Sequence, residues 1–152
     1  MERLTGTYFH TLDDRGRVAL PAKLREKLGE KVAVTNGIAH HSLVVYPEDK
    51  WDVISDHILA APAVNEEEND IRLFFFGDAT EADVDGQGRI AIPEYLREYA
   101  GMTGEVAIVG AGDHIQIWDK EAWIAKRAAL RAKAPSLPSI RTAESASRHS
   151  VS

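Results

Sequence analysis

The residues best suited to chemistry lie in a short turn that occurs twice. Asp13-Asp14-Arg15-Gly16-Arg17 returns as Asp85-Gly86-Gln87-Gly88-Arg89. A guanidinium is permanently charged and presents planar donors that match a phosphate or carboxylate, and a carboxylate four residues upstream can hold it, or the loop amides, by charge-assisted hydrogen bonds. Gly16 and Gly88 occupy the same place in both copies, as a turn that needs a positive φ requires. The pattern predicts an exposed loop that presents Arg17 and Arg89 to an anion, with Asp13, Gly16, Asp85 and Gly88 orienting it. The same residues also fit a loop-stabilising ion pair with no ligand.

These turns sit in a longer repeat. Val18-Ala19-Leu20-Pro21-Ala22-Lys23-Leu24-Arg25-Glu26 is matched by Ile90-Ala91-Ile92-Pro93-Glu94-Tyr95-Leu96-Arg97-Glu98. An offset of about 72 residues, read without a gap, carries the match through Gly29/Gly101 to Trp51/Trp123. In each copy the turn leads into alternating apolar residues and then a helix, opened by Pro21 and closed by Gly29 in the first, running from Pro93 to Gly101 in the second. Leu24 and Leu28 supply the buried face of the first. Two strands follow, with Val32 and Val34 then Leu43 and Val45, and in the second copy Val106 to Val109 then Ile115 to Trp118. A helix then begins near Pro47, burying Trp51, Ile54 and Ile58, or after Asp119 as N-cap. Between the copies Pro62 breaks the chain, and Asn65 caps an acidic helix start at Glu66, Glu67 and Glu68 that ends near Gly77. The expected organisation is a first module over 1–60, a helical linker over 61–76 and a second module over 77–134. The Pro, Ser, Ala and Thr of 135–152 predict a flexible tail.

The chain has 152 residues, a net charge of −6 and no cysteine. Disulfides, thiolate metal sites and cysteine nucleophiles are therefore excluded. No long apolar run and no basic-then-apolar leader is seen, so a cytoplasmic globular protein is expected. The acidity argues against a nucleic-acid partner until its distribution is considered. Residues 1–31 hold about seven Lys/Arg against five Asp/Glu, and 119–141 about six against two, while 47–70 hold about eight acids and one base. Two half-sized modules with small cores should pack together or oligomerise.

Enzymatic readings fare poorly. Asp13 and Asp14 could bind a metal, and His40-His41 lie in an expected loop, but Gly86 replaces Asp14 in the second copy, and Gly112-Asp113 replace the histidines. No acid/base pair is duplicated and no nucleotide-binding or nucleophile motif is present, so neither an enzyme nor a cofactor is expected.

The duplicated Asp-x-x-Gly-Arg turn, each followed by Val/Ile-x-Leu/Ile-Pro-x-x-Leu-Arg, two strands and a Trp-bearing helix, resembles the MraZ family over residues 1–133. Single turns of this kind also occur in AbrB-like swapped-hairpin transcription factors. The resemblance implies an α+β fold of two swapped-hairpin β/α modules with pseudo-twofold symmetry, assembled into a ring-like homo-oligomer. It implies a nucleoid-associated transcriptional regulator that binds double-stranded DNA at repeated promoter elements of the division and cell-wall gene cluster. The family motif Asp-x-x-x-Arg maps onto Asp13 with Arg17 and Asp85 with Arg89. Arg15, Arg17, Lys23, Arg25, Arg89 and Arg97 are the expected DNA-binding residues. The first copy, with Arg15, Lys23 and Lys27 where the second has Gln87, Tyr95 and Tyr99, is expected to be the better phosphate binder. The competing reading is a structural assembly protein that uses the loops for subunit contacts.

Overall fold

A computed structural model describes residues 3–38 and 41–150. The chain divides into two compact units, residues 1–120 and 121–152. The first contains β1 (Thr7–Thr11), β2 (Arg17–Ala19), α1 (Ala22–Leu28), β3 (Lys31–Asn36), β4 (Ser42–Pro47), α2 (Glu48–Ala60), α3 (Glu66–Phe76), β5 (Thr80–Asp83), β6 (Arg89–Ala91), α4 (Glu94–Tyr99), β7 (Glu105–Gly110) and β8 (Ile115–Asp119).

The two repeats do not fold side by side; they exchange strands. One six-stranded antiparallel sheet has the order β1-β7-β8-β4-β3-β5, so β1 of the first repeat pairs with β7 of the second and β5 of the second with β3 of the first. β2 and β6 form a separate two-stranded ribbon, with Val18 opposite Ile90. The fold is the α+β swapped-hairpin arrangement expected.

Strand register shows that the gapless alignment slips. His10 faces Val106 while Ala82 faces Val32, and Thr11 faces Glu105 while Asp83 faces Lys31. A twofold operation that takes His10 to Ala82 therefore takes Val32 to Val106, not to Gly104. Leu12 N donates to Gly104 O as Val84 N does to Glu30 O, so Gly104 stands where Glu30 does. Met102 and Thr103 are an insertion after Gly101, and a β7–β8 turn shorter than the β3–β4 turn restores the register before Trp51 and Trp123. Upstream of the turn the original offset survives through β1 and β5.

The core follows the same symmetry. Val18, Leu20, Leu24 and Leu28 are buried with Ile90, Ile92, Leu96 and Ala100, over Val32, Val34, Leu43 and Val45 and their counterparts Val106, Ile108, Ile115 and Ile117. Side chains alternate faces along a strand, so Ala33, Val44 and Tyr46 lie on the opposite side, where Trp51 of α2 covers them and Ile54 packs nearby. Ile58 is only partly buried. Trp51 stacks on Tyr46 at 5.9 Å and meets the edge of Phe76 at 5.7 Å.

Helix boundaries obey local chemistry. Pro21 and Pro93 precede α1 and α4, and Gly29, at φ 87°, ends α1. Asn65 accepts the Glu68 amide at the start of α3. At its other end, buried Thr35 and Asn36 donate to the carbonyls of Phe75 and Phe74, tying α3 to β3.

α5 (Lys120–Lys133) starts at the last residue of the first unit, and in the second unit a 3-10 turn covers Ala134–Ser136 and α6 runs over Pro138–Ser150. A helix thus occupies most of the segment whose composition predicts irregular chain. Helical hydrogen bonds are local, and Pro138 at the start with Ala, Glu and Arg beyond it favours a helix without a buried face.

Candidate functional site

Each turn is clamped by its own aspartate. Asp13 Oδ1 accepts the amides of Arg15 at 2.9 Å and Arg17 at 2.8 Å, and Oδ2 accepts Arg17 Nε at 2.7 Å. Asp85 repeats this with the amides of Gln87 and Arg89, both at 2.9 Å, and Arg89 Nε at 3.0 Å. Main-chain bonds close the turn: Asp13 N donates to Arg17 O and Gly16 N to Asp13 O, matched by Asp85 N to Arg89 O and Gly88 N to Asp85 O. Gly16 and Gly88 have φ of 73° and 77°, a region in which a side chain is strained. The Arg17 amide holds the Asp13 carboxyl below its usual range, and the Arg89 amide does the same for Asp85. Binding through Nε alone leaves the terminal nitrogens of Arg17 and Arg89 available to an anion, and both side chains are partly exposed.

The ribbon joins the two turns. Leu20 N donates to Gly88 O at 2.8 Å and Ile92 N to Gly16 O at 3.0 Å. Each glycine therefore fixes its own turn and docks the strand of the other. The helix arginines cross over in the same way. A β-carbon at Gly16 would meet Arg97 Nε at 2.8 Å, and one at Gly88 would overlap Arg25 Nη1. Arg97 is anchored by donation from Nε to Ile92 O at 3.0 Å.

The structure thus regroups the expected residues. Arg15 and Arg17 share the first turn with Arg97, whereas Arg89 shares the second with Arg25. Sequence proximity, which groups Arg25 with Arg17 and Arg97 with Arg89, misses this because the exchange depends on pairing between repeats. Lys23 is exposed on α1. Lys27 Nζ donates to Arg3 O, while Tyr99 Oη at the matching place donates to Gly37 O and Tyr95 Oη meets Thr80 Oγ1. The two tyrosines serve the fold.

His40 lies outside the described residues, and His41 lies in the β3–β4 turn at φ 70°. Among the described residues no group of three or more His, Asp or Glu is placed to hold a metal ion, and no helix is long and apolar enough to cross a membrane.

A family model described as "MraZ protein, putative antitoxin-like" matches residues 4–74 and again 75–139. The Transcriptional regulator MraZ of Carboxydothermus hydrogenoformans is 46% identical over 118 residues, which is 78% of this chain and 82% of that protein. Proteins of the same name from Desulfitobacterium hafniense and Caldanaerobacter subterraneus are both 42% identical, over 78% and 79% of this chain and 82% and 83% of their own lengths. The duplicated turn, the exchanged strands and these matches agree, and the chain belongs to the MraZ family.

Proposed function

We propose that the protein is a sequence-specific DNA-binding transcriptional regulator that acts as a ring-like homo-oligomer on repeated promoter elements of the division and cell-wall gene cluster. The observation that carries this reading is the pair of aspartate-clamped arginine turns joined through one ribbon, each flanked by a guanidinium from the other repeat. Such an edge suits a phosphate backbone: the charges are permanent, pre-oriented and only partly neutralised. Lys23, Arg25 and Arg97 extend it, and Arg15, exposed at the tip of the first turn, is placed to reach a base edge. The relatives' name, Transcriptional regulator MraZ, supports the same reading.

A net charge of −6 is compatible with DNA when the cations are gathered on one edge and the acids lie elsewhere. Each phosphate neutralised releases counterion, and an oligomer presents the edge to several adjacent elements at once. In this reading residues 1–60 and 77–134 are the two AbrB-like modules, 61–76 links them, 135–152 is a tail, and the protein is cytoplasmic and nucleoid-associated.

The test is fluorescence anisotropy of the full chain on a duplex taken from upstream of its own gene, across a salt series, against a scrambled duplex. Saturable binding that prefers the native duplex, with log affinity falling linearly in log salt, is expected. An assembled protein that binds neither duplex overturns the reading and leaves the loops to subunit contacts.

A further inference from the structure

The two turns are equivalent by symmetry but not by chemistry at their tips. Asp13 Oδ1 holds the Arg15 amide, and Asp85 Oδ1 holds the Gln87 amide, each at 2.9 Å. The two residues occupy corresponding places, both are exposed, and neither side chain makes a hydrogen bond or ion pair with a described residue. Arg17 and Arg89 differ from them in being tied to carboxylates in both copies. Arg25 and Arg97 are likewise identical and placed alike.

Around a pseudo-twofold axis a duplex presents the same phosphates twice, whereas its base pairs need not repeat. Groups that both copies keep identical suit the backbone, and side chains that differ between the copies suit the bases. Asp14 and Gly86 also differ, but a carboxylate repels phosphates and a glycine has no side chain to read with. Outside the turns Lys23/Tyr95 and Lys27/Tyr99 differ as well, but Tyr95, Lys27 and Tyr99 are bonded within the fold; within the turns Arg15 and Gln87 remain. An arginine bonds bidentately to guanine O6 and N7, and a glutamine to adenine N6 and N7.

We propose that Arg15 and Gln87 are a specificity-determining pair: Arg15 reads a guanine in one half of the bound duplex and Gln87 an adenine at the corresponding place in the other. The protein then binds an asymmetric element in one orientation, although its scaffold is nearly twofold. This rests on the DNA-binding reading above.

The experiment is selection from a randomised duplex pool by the full-length wild type, Gln87→Arg and Arg15→Gln, each confirmed folded by thermal melting. The wild type should enrich G·C at one position and A·T at its symmetric counterpart. Gln87→Arg should convert the A·T position to G·C, and Arg15→Gln the G·C position to A·T, each by roughly ten-fold in preference. Unchanged base preferences in variants that still bind would overturn this assignment alone and reduce both tips to phosphate contacts. A wild type that enriches no duplex would overturn the DNA-binding reading and this pair with it.

Discussion

The Arg97 guanidinium lies over Gly16, the glycine of the other repeat, so close that a β-carbon there would stand 2.8 Å from Nε. Arg25 bears the same relation to Gly88. Each turn is therefore completed by a helix that follows the other turn in sequence, and the two cannot vary independently.

Gly88→Ala should cost about 1–2 kcal/mol from the positive φ alone and should also displace Arg25. Gly29→Ala is the control, because Gly29 has φ 87° and nothing within 4 Å of an added β-carbon. Urea denaturation should show a loss in both, while DNA binding falls only in Gly88→Ala. Equal effects on binding would refute a role for Arg25 at the second turn.

A double-mutant cycle tests the crossing directly. Arg17→Ala and Arg97→Ala touch one turn and should be non-additive in DNA affinity by about 0.5 kcal/mol or more, whereas Arg17→Ala and Arg25→Ala should add. The reverse pattern would restore the grouping by sequence neighbours.

Arg17→Ala should leave the fold intact, since an exposed ion pair contributes about 0–1 kcal/mol. If Arg17 contacts a phosphate, the slope of log affinity against log salt should become shallower by about one unit. An unchanged affinity and slope would remove Arg17 from the interface.

Trp51 is 6% exposed and its Nε1 donates to Glu81 Oε1 at 3.1 Å, linking α2 to the exchanged strand β5. Trp51→Ala should cost about 3–5 kcal/mol in chemical denaturation. Wild-type stability in this variant would show that the face under α2 contributes little.

Asp13 and Asp85 are held below the ordinary value of 3.8, first by the amides of Arg17 and Arg89. A depressed carboxyl stabilises the fold above its unfolded pKa and loses that contribution as pH falls through the folded one. The amide resonances of Arg17 and Arg89 should therefore titrate below pH 3.8, and Asp13→Asn should abolish the Arg17 transition. A midpoint at or above the ordinary value would mean that the clamp is weak in solution.

What the sequence determined was local. The repeated Asp, Gly and Arg specified both turns, because an Asx-type clamp and a positive φ need only a few neighbouring residues. Pro21, Pro93, Gly29 and Asn65 marked helix ends for the same reason, and Leu24 and Leu28 marked the buried face of α1. The tertiary structure decided what depends on distant partners. Residue patterns in β1 and β5 call for an antiparallel neighbour without naming it, so only the folded sheet shows that β1 joins β7 and β5 joins β3. The insertion of Met102 and Thr103 became visible only through strand register, since the shorter β7–β8 turn cancels it before the second tryptophan. That exchange also carries Arg97 to Gly16 and Arg25 to Gly88, because α1 and α4 follow ribbon strands that pair across the repeats.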